Sequence, residues 1–286
     1  MTQEELDFYN HNGYVLLSGV LTAQECAGYR EELHSLARRL EERNRTHDAT
    51  WGSATEGVAK GAPTQLKHCH DVQFHLASMS RLIVDPRITE PASQIIGPNV
   101  QLHHTKMFIK PPENGSPFPM HQDRPYFPHE KDSMIAAIVH FDDAPLEKGC
   151  VRVVPGSFKL GALEHQGDGG WHLPFSEFPV EGATPCPAKA GDVLFFSYMT
   201  IHGSGINQSD EARTTLLIQL RDPTDPPEVR THESRGQGQI LRGIDPLAPM
   251  AELKEECGAG VTMGGGMGGG MMGGMAPPMG GGMGAM

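Results

Sequence analysis

Several features of membrane, secreted and nucleic-acid-binding proteins are missing from this sequence. It contains no apolar run long enough to cross a membrane, and its acidic N-terminal segment predicts a helix rather than a signal peptide. The formal net charge is −12, and no long block of Lys or Arg offers a surface for a phosphate backbone. We therefore expect no membrane and no nucleic acid among its partners.

Cysteine is scarce and follows no pattern. The 286 residues contain five Cys, an odd number, with no Cys-x-x-Cys pair. This usage predicts reduced thiols in a cytoplasmic protein rather than a disulfide framework or a zinc site. The length suits one large domain, and we expect it to span residues 1–250 because no internal linker interrupts them.

Glycine and methionine are concentrated at the C-terminus. Residues 258–286 carry eight of the 15 Met residues and 14 of the 35 Gly residues. Such a segment cannot bury enough apolar surface to offset the entropy lost on ordering, so we expect it to be a disordered tail.

Sequence periodicity predicts helices and one strand, residues 13–17, in the N-terminal part of the chain, and mainly strands afterwards. Thr2 with Glu5 and Thr22 with Glu25 form two capping boxes, each of which predicts the start of a helix. A third helix is predicted to end at Gly97. The predicted strands then cover residues 100–110, 134–141, 151–154, 193–198 and 213–221. The intervening residues 160–190 are expected to form a long loop.

One short segment places an imidazole and a carboxylate two residues apart, at His121 and Asp123. On a strand, residues i and i+2 point to the same side, so both groups can aim at a single metal ion. His202 is the best candidate for a third ligand. Two histidines and one carboxylate that leave other positions open form the site of non-haem Fe(II) oxygenases.

A lone His-x-Asp motif is typical of a surface loop, but here it stands in an ordered set of motifs. It is followed by an apolar strand, by residues 149–157 and 191–196, by His202-Gly203-Ser204-Gly205 and by Arg213. These segments, together with residues 121–128 and 108–112, resemble the phytanoyl-CoA dioxygenase family over roughly residues 5–222.

The resemblance implies both a fold and an activity. The fold is mainly β with flanking N-terminal helices around a double-stranded β-helix, which is a cupin-like jelly-roll barrel. The activity is that of an Fe(II)- and 2-oxoglutarate-dependent dioxygenase that consumes O2, with ascorbate as a supporting reductant. Such an enzyme hydroxylates or otherwise oxidises a small-molecule metabolite and releases succinate and CO2.

The resemblance also implies roles for individual residues. His121, Asp123 and His202 would bind iron. Arg213 would pair with the distal carboxylate of 2-oxoglutarate, for which its planar guanidinium is suited, and Ser204 would lie near the same co-substrate. An aromatic residue that faces the co-substrate in some family members is replaced here by Ile138.

Further site residues are predicted from the sequence pattern. Thr215 shares a strand face with Arg213, so we expect its hydroxyl to bind the co-substrate as well. Lys106 and Lys67 are isolated cations that we also expect to meet the co-substrate or the substrate. The candidates for substrate contacts are Gln122, Arg124, Tyr126, Phe127 and Trp171.

The cations near these motifs, Lys67, Lys106, Arg124 and Arg152, are isolated rather than clustered. A CoA ester carries several phosphate charges, which a basic surface would have to meet. We therefore expect a small polar metabolite, with one carboxylate or phosphonate for a cation to contact, rather than a long acyl-CoA.

Two alternatives compete with the enzyme hypothesis. One is a non-catalytic jelly-roll binding protein that kept the fold. The other is a cupin-type isomerase or metal-binding protein, in which His103, His104 and His140 would supply additional ligands.

Overall fold

The structure is a computed structural model that describes residues 1–43, 64–166, 171–231 and 233–248. The predicted tail, residues 258–286, lies outside these ranges. In the part of the chain that the structure describes, no helix has both the length and the apolar character needed to cross a membrane.

Four α-helices occur in the described ranges, and three of them match predictions. They are α1 (Gln3–Asn12), α2 (Ala23–Glu42), α3 (Ala77–Leu82) and α4 (Pro86–Ile96). Both capping boxes form, and Gly13 ends α1 with a left-handed φ of 78°. The short helix α3 was not predicted.

The strands form two antiparallel sheets. The major sheet has the order β1-β8-β5-β10-β3-β11, with β2 also paired to β3, and the minor sheet has the order β4-β9-β6-β7. The strands are β1 (Tyr14–Leu17), β2 (Lys67–His70), β3 (Val100–Lys110), β4 (Phe118–His121), β5 (Ile135–His140), β6 (Val151–Val153), β7 (Thr184–Cys186), β8 (Val193–Ser197), β9 (His202–Ser204), β10 (Arg213–Arg221) and β11 (Ile240–Arg242).

The alternation of side chains along β10 separates the core from the pocket. Leu216 and Ile218 belong to the main hydrophobic core, which also contains residues of α2 and α4. Thr215, Leu217 and Gln219, one position out of phase, line a cavity instead. This period of two is what a strand with one face on a core requires.

The predicted fold class is confirmed, since two antiparallel sheets of this order form the jelly roll and the four described helices all lie N-terminal to β3. The prediction for residues 160–190 was wrong in its last part. Thr184–Cys186 form β7, which pairs with β6 at the edge of the minor sheet. A three-residue strand that contains a proline carries too weak a periodic signal to be recognised from sequence.

Candidate active site

Two strands of the minor sheet bring the predicted histidines together. His121 ends β4 and lies directly opposite His202, the first residue of β9. Asp123 is not on the strand, which corrects the expected strand geometry. Its backbone is helical, with φ −77° and ψ −25°, at the start of a 3-10 turn. Its N–H donates to the carbonyl of Tyr198 over 2.9 Å, so a turn rather than a strand aims the carboxylate.

The three potential ligand atoms converge. Oδ1 of Asp123 lies 3.5 Å from Nε2 of His121 and 3.7 Å from Nε2 of His202. All three atoms lie within 4.8 Å of one another, and the described residues contain no second group of this kind. We call these three residues the metal end of the site.

Hydrogen bonds to the other side of each ring fix the orientation of the histidines. Nδ1 of His121 lies 2.7 Å from the carbonyl oxygen of Pro119, and Nδ1 of His202 lies 2.9 Å from that of Thr200. A neutral imidazole that donates from Nδ1 presents a lone pair at Nε2. Both Nε2 atoms are therefore available to a metal ion.

The charges of the metal end suit a divalent cation. Burial, followed by the neighbouring His121, lowers the pKa of His202 to about 4, so its ring is neutral at neutral pH. Burial opposes ionisation of Asp123, yet attraction to the two histidines and hydrogen bonds hold its pKa below the usual value. Gln219 Nε2 donates to Oδ2 of Asp123 over 2.6 Å and leaves Oδ1 for the metal. The donor set thus fits an Fe(II) site with two histidines and one carboxylate.

The metal end opens into a cavity of about 150 Å³ between the two sheets. Of the remaining predicted site residues, six line this cavity: Lys106, Tyr126, Phe127, Ser204, Arg213 and Thr215. Ile138, at the position of the family aromatic, lines it too. The structure therefore brings most of the predicted site together.

Arg213 lies on the same face of β10 as Thr215 and is 3% exposed. Its guanidinium donates to the carbonyl of Gly149, whereas its Nε has no hydrogen-bond partner among the described residues. Burial lowers the pKa of Arg213 to about 10, so it stays charged. Gly149 has a φ of 64°, and a Cβ there would collide with the carbonyl of Gly205. Only glycine fits this close approach.

Lys110 is a site residue that sequence analysis did not identify. It pairs with Arg213 across β3 and β10 and is fully buried. Its Nζ donates to Ser204 Oγ and to the carbonyl of Gly205, each over 2.7 Å. Burial, followed by the nearby Arg213, holds its pKa well below the usual value. Lys110, Ser204 and Arg213 form what we call the anion end, because none of the described carboxylates pairs with these buried basic groups.

Two predicted site residues lie elsewhere. Lys67 forms an ion pair with Glu41 of α2 and does not line the cavity, because β2 directs its side chain toward that helix. Gln122 is fully buried, and its side-chain amide donates to the carbonyls of Met199 and Gly161 over 2.8 Å and 2.9 Å. Gln122 therefore fastens a loop and does not line the cavity.

Arg124 and Trp171 are also outside the cavity lining. Arg124 forms ion pairs with Asp132 over 2.8 Å and with Glu228 over 2.5 Å, which occupy its guanidinium. Trp171 is 42% exposed, and its carbonyl accepts a hydrogen bond of 2.8 Å from the hydroxyl of Tyr126. Trp171 thus supports Tyr126 from outside the cavity.

The additional histidines that a cupin-type metal site would need do not join the metal end. His103 and His104 interact with each other through Nδ1 atoms 2.7 Å apart. His140 lies on β5, with its Nδ1 3.3 Å from the carbonyl oxygen of Asp192. The alternative with extra histidine ligands therefore receives no support from the described residues.

Comparison with known proteins agrees with this geometry. Residues 9–215 match the family Phytanoyl-CoA dioxygenase (PhyH). The chain belongs to this family. It is 26% identical to the peroxisomal phytanoyl-CoA dioxygenase of Bos taurus over 235 residues, which cover 78% of this chain and 69% of the relative. It is also 26% identical to the methylphosphonate hydroxylase of Gimesia maris over 219 residues, which cover 76% of this chain and 80% of the relative.

A solved structure supports the same conclusion. The epimerase SnoN, in complex with Fe3+, alpha ketoglutarate and nogalamycin RO, is 25% identical and gives a TM-score of 0.65 over 84% of this chain and 98% of SnoN. The phytanoyl-CoA dioxygenase fold and the predicted reaction class are confirmed. The protein is a non-haem oxidoreductase that depends on Fe(II) and 2-oxoglutarate and acts on small molecules.

Proposed function

We propose that His121, Asp123 and His202 hold the iron and that Arg213 holds 2-oxoglutarate while a small molecule is oxidised beside them. One observation carries this assignment. Two imidazole nitrogens and one carboxylate oxygen converge at one end of a cavity whose other end is a buried, uncompensated Arg213. When bound there, the iron would supply O2 activation coupled to decarboxylation of 2-oxoglutarate, which yields succinate and CO2.

The anion end positions the co-substrate in this proposal. The guanidinium of Arg213 remains charged and presents a planar set of donors to the distal carboxylate. Because Ser204 Oγ accepts a hydrogen bond from Lys110, its own proton is free to be donated to the same carboxylate. The hydroxyl of Thr215, on the same strand face as Arg213, offers a further donor.

Aromatic side chains exclude water around the metal end. The ring of Phe196 lies 4.3 Å from that of His202, and the ring of Tyr126 lies 6.2 Å from that of His121. Phe127 lines the same cavity and is 5% exposed. A dry site strengthens the electrostatic interactions of the co-substrate and protects reactive species from water. We assign Tyr126 and Phe127 to substrate contacts.

The relatives do not identify the substrate. One is named for phytanoyl-CoA and another for methylphosphonate, so related chains act on very different compounds. We propose a small polar metabolite, since the cations predicted near the site are dispersed in the structure as well. We also propose a cytoplasmic enzyme; the four cysteines that the structure describes are free thiols.

The test combines binding and turnover. Anaerobic addition of Fe(II) and 2-oxoglutarate should produce the weak metal-to-ligand absorption band of a chelated keto acid, and O2 with ascorbate should then release succinate. Metal binding should be weakened more than about 100-fold by each of the variants His121→Ala, Asp123→Ala and His202→Ala. Loss of a residue that only hydrogen-bonds to a metal ligand already costs about 10–100-fold in affinity, and loss of the ligand itself should cost more. His11→Ala, at an exposed position, is the matched control.

The outcome that contradicts the assignment is a variant of these three residues that keeps both the band and normal metal affinity. A wild-type protein that binds Fe(II) and 2-oxoglutarate but releases no succinate with any substrate would favour the non-catalytic binding protein.

A further inference from the structure

Lys106 is a partly buried cation that the proposed chemistry leaves unused. It lies on β3, lines the cavity and packs with its Nζ 5.0 Å from the centre of the Phe108 ring. It forms no ion pair or hydrogen bond with any residue in the described ranges, as the salt bridges and side-chain hydrogen bonds there involve other groups. Burial lowers its pKa to about 8, with partial opposition from Asp123, so it is largely protonated at neutral pH.

The other three isolated cations noted in the sequence are engaged elsewhere. Lys67 pairs with Glu41, and Arg124 pairs with two carboxylates. Arg152 donates to the backbone carbonyls of Glu181 and Ala183. Of the four, Lys106 alone faces the cavity with its charge uncompensated.

The strand register separates Lys106 from the anion end. Lys106 pairs with Leu217, whereas Lys110 pairs with Arg213 four residues away, about 13 Å along the strand at roughly 3.3 Å per residue. At the next inward-facing position of β10, the side-chain amide of Gln219 donates a hydrogen bond to the carboxylate of Asp123. Lys106 therefore lies on the metal side of the cavity, where the substrate has to approach.

Among the groups that line the cavity, the charges of the occupied site balance without Lys106. Lys110 is not one of these groups, and burial holds its pKa well below the usual value. Among the described residues, Asp123 is the single acidic one that lines the cavity, and Lys106 and Arg213 are the lysine and arginine side chains that do so. With neutral histidines, the two positive charges of Fe(II) and that of Arg213 cancel Asp123 and the two carboxylates of 2-oxoglutarate. Lys106 then leaves one positive charge in excess in a largely apolar cavity, where an unpaired, partly buried charge is unfavourable.

We propose that the primary substrate is a small molecule with one negative charge, a carboxylate or a phosphonate, and that Lys106 forms an ion pair with it. This inference rests on the proposed function, because the charge balance assumes iron and 2-oxoglutarate in the site. Phe108 and Leu217 lie next to Lys106, and together with Phe118 they line the cavity and provide an apolar surface for the rest of such a molecule.

The experiment measures binding rather than turnover. Wild-type protein, Lys106→Met and Lys67→Met are loaded anaerobically with Fe(II) and 2-oxoglutarate and titrated with matched probes. The pairs are butyrate with butyramide, hexanoate with hexanamide, and methylphosphonate with its neutral dimethyl ester. The change in the metal-to-ligand band gives each Kd. Lys67→Met is the control because it removes a lysine outside the cavity.

We expect the wild type to bind an anion at least about tenfold more tightly than its neutral partner, which corresponds to about 1.4 kcal/mol. The preference should disappear in Lys106→Met and persist in Lys67→Met, and the Kd of 2-oxoglutarate should change less than about threefold in either. The acid series and the phosphonate show which anion is preferred.

Three outcomes overturn the inference. Equal or undetectable binding of both members of every pair shows that the site does not select an anion. A loss of 2-oxoglutarate affinity in Lys106→Met as large as in Arg213→Ala assigns Lys106 to the co-substrate instead. If the wild type shows no metal-to-ligand band, the proposed function and this inference both fail. In the first two outcomes the band still forms, so this inference fails alone.

Discussion

At the metal end of the cavity the chain itself holds every donor in place, whereas at the anion end two basic side chains are buried with no carboxylate of the described residues beside them. Both histidine rings are fixed through Nδ1, and Gln219 fixes Asp123. Arg213 and Lys110, in contrast, have backbone and hydroxyl oxygens as their hydrogen-bond acceptors. The metal end is complete as folded, and the anion end lacks a negative charge.

This difference determines which ligand each end selects. A preformed set of neutral nitrogens and one carboxylate oxygen accepts a cation with little rearrangement. A pair of buried basic groups is destabilising until an anion neutralises it, so part of the binding energy of that anion comes from relief of this cost. Substitutions at the two ends should therefore affect different binding constants.

The largest effect is expected at Arg213. Arg213→Ala should raise the KM for 2-oxoglutarate about 100- to 4,000-fold, since removal of one partner of a buried ion pair costs about 3–5 kcal/mol. Arg213→Lys should raise it less, because the charge remains and the two-donor geometry is lost. Succinate formation against 2-oxoglutarate concentration measures both.

The control for this pair is Arg242→Ala, which removes an arginine 3.6 Å from Glu90, outside the cavity lining. An unchanged KM in Arg213→Ala would show that the anion end does not bind 2-oxoglutarate. Lys106 would then be the residue expected to bind its distal carboxylate.

Gln219 tests the metal end. Gln219→Leu should weaken binding of the metal by about 10- to 100-fold, as is usual when a partner of a metal ligand is lost. Its Oε1 has no partner among the described residues, so leucine removes that buried acceptor as well. Calorimetric titration with Fe(II) under anaerobic conditions gives the Kd. At saturating iron the KM for 2-oxoglutarate should stay near the wild-type value. A raised KM with unchanged metal affinity would show that Gln219 supports binding of the co-substrate rather than of the metal.

Substitution of Lys110 tests whether this residue contributes to co-substrate binding at the anion end. Lys110→Met should raise the KM for 2-oxoglutarate about tenfold, because a hydrogen bond to a charged group contributes about 1.5–3 kcal/mol and Ser204 would lose its orienting donor. Ser204→Ala should show a smaller effect in the same direction, and metal affinity should not change. If Lys110→Met only lowers the melting temperature and leaves KM and kcat unchanged, Lys110 is structural.

The features that could be predicted from sequence depend on local rules or on motif order. Thr2 and Thr22 cap their helices through contacts three residues away, so the sequence shows both partners. Strand β3 has the predicted bounds because its pattern is long and ends at two prolines. His121 and His202 were linked through the family resemblance of their motifs, since their distance in sequence carries no geometric information.

The features that could not be predicted depend on strand register and on distant partners. Lys106 and Lys110 share a strand face in the sequence, but only the pairing of β3 with β10 shows that Lys110 lies opposite Arg213. Lys67 forms an ion pair with Glu41 of α2. Sequence periodicity predicts this helix but not where it packs, so the ion pair could not be predicted. A residue's charge is visible in the sequence, whereas the carboxylate that compensates it is not.

The last effect is on stability rather than on ligand binding and concerns His140, which is fully buried on β5 opposite Thr215. Burial, followed by the charge of Arg213, lowers its pKa to about 3. Because the unfolded chain takes up this proton near pH 6.5 and the folded chain does not, the unfolded state binds more protons between these values. Stability is therefore lost as pH falls from 6.5 toward 3, by up to about 1.4 kcal/mol per pH unit from this group.

His140→Gln should remove that part of the pH dependence, and His11→Gln, at an exposed position, should not. Urea unfolding in the presence of a chelator, at several pH values between 7 and 5, measures the slopes, and the contribution of His202 is common to all three proteins and cancels. Addition of 2-oxoglutarate should make the wild-type slope shallower, because an anion at Arg213 removes one of the two causes of the shift. Parallel slopes in the wild type and His140→Gln would show that His140 has the same pKa in the folded and unfolded states, and that neither burial nor Arg213 lowers it.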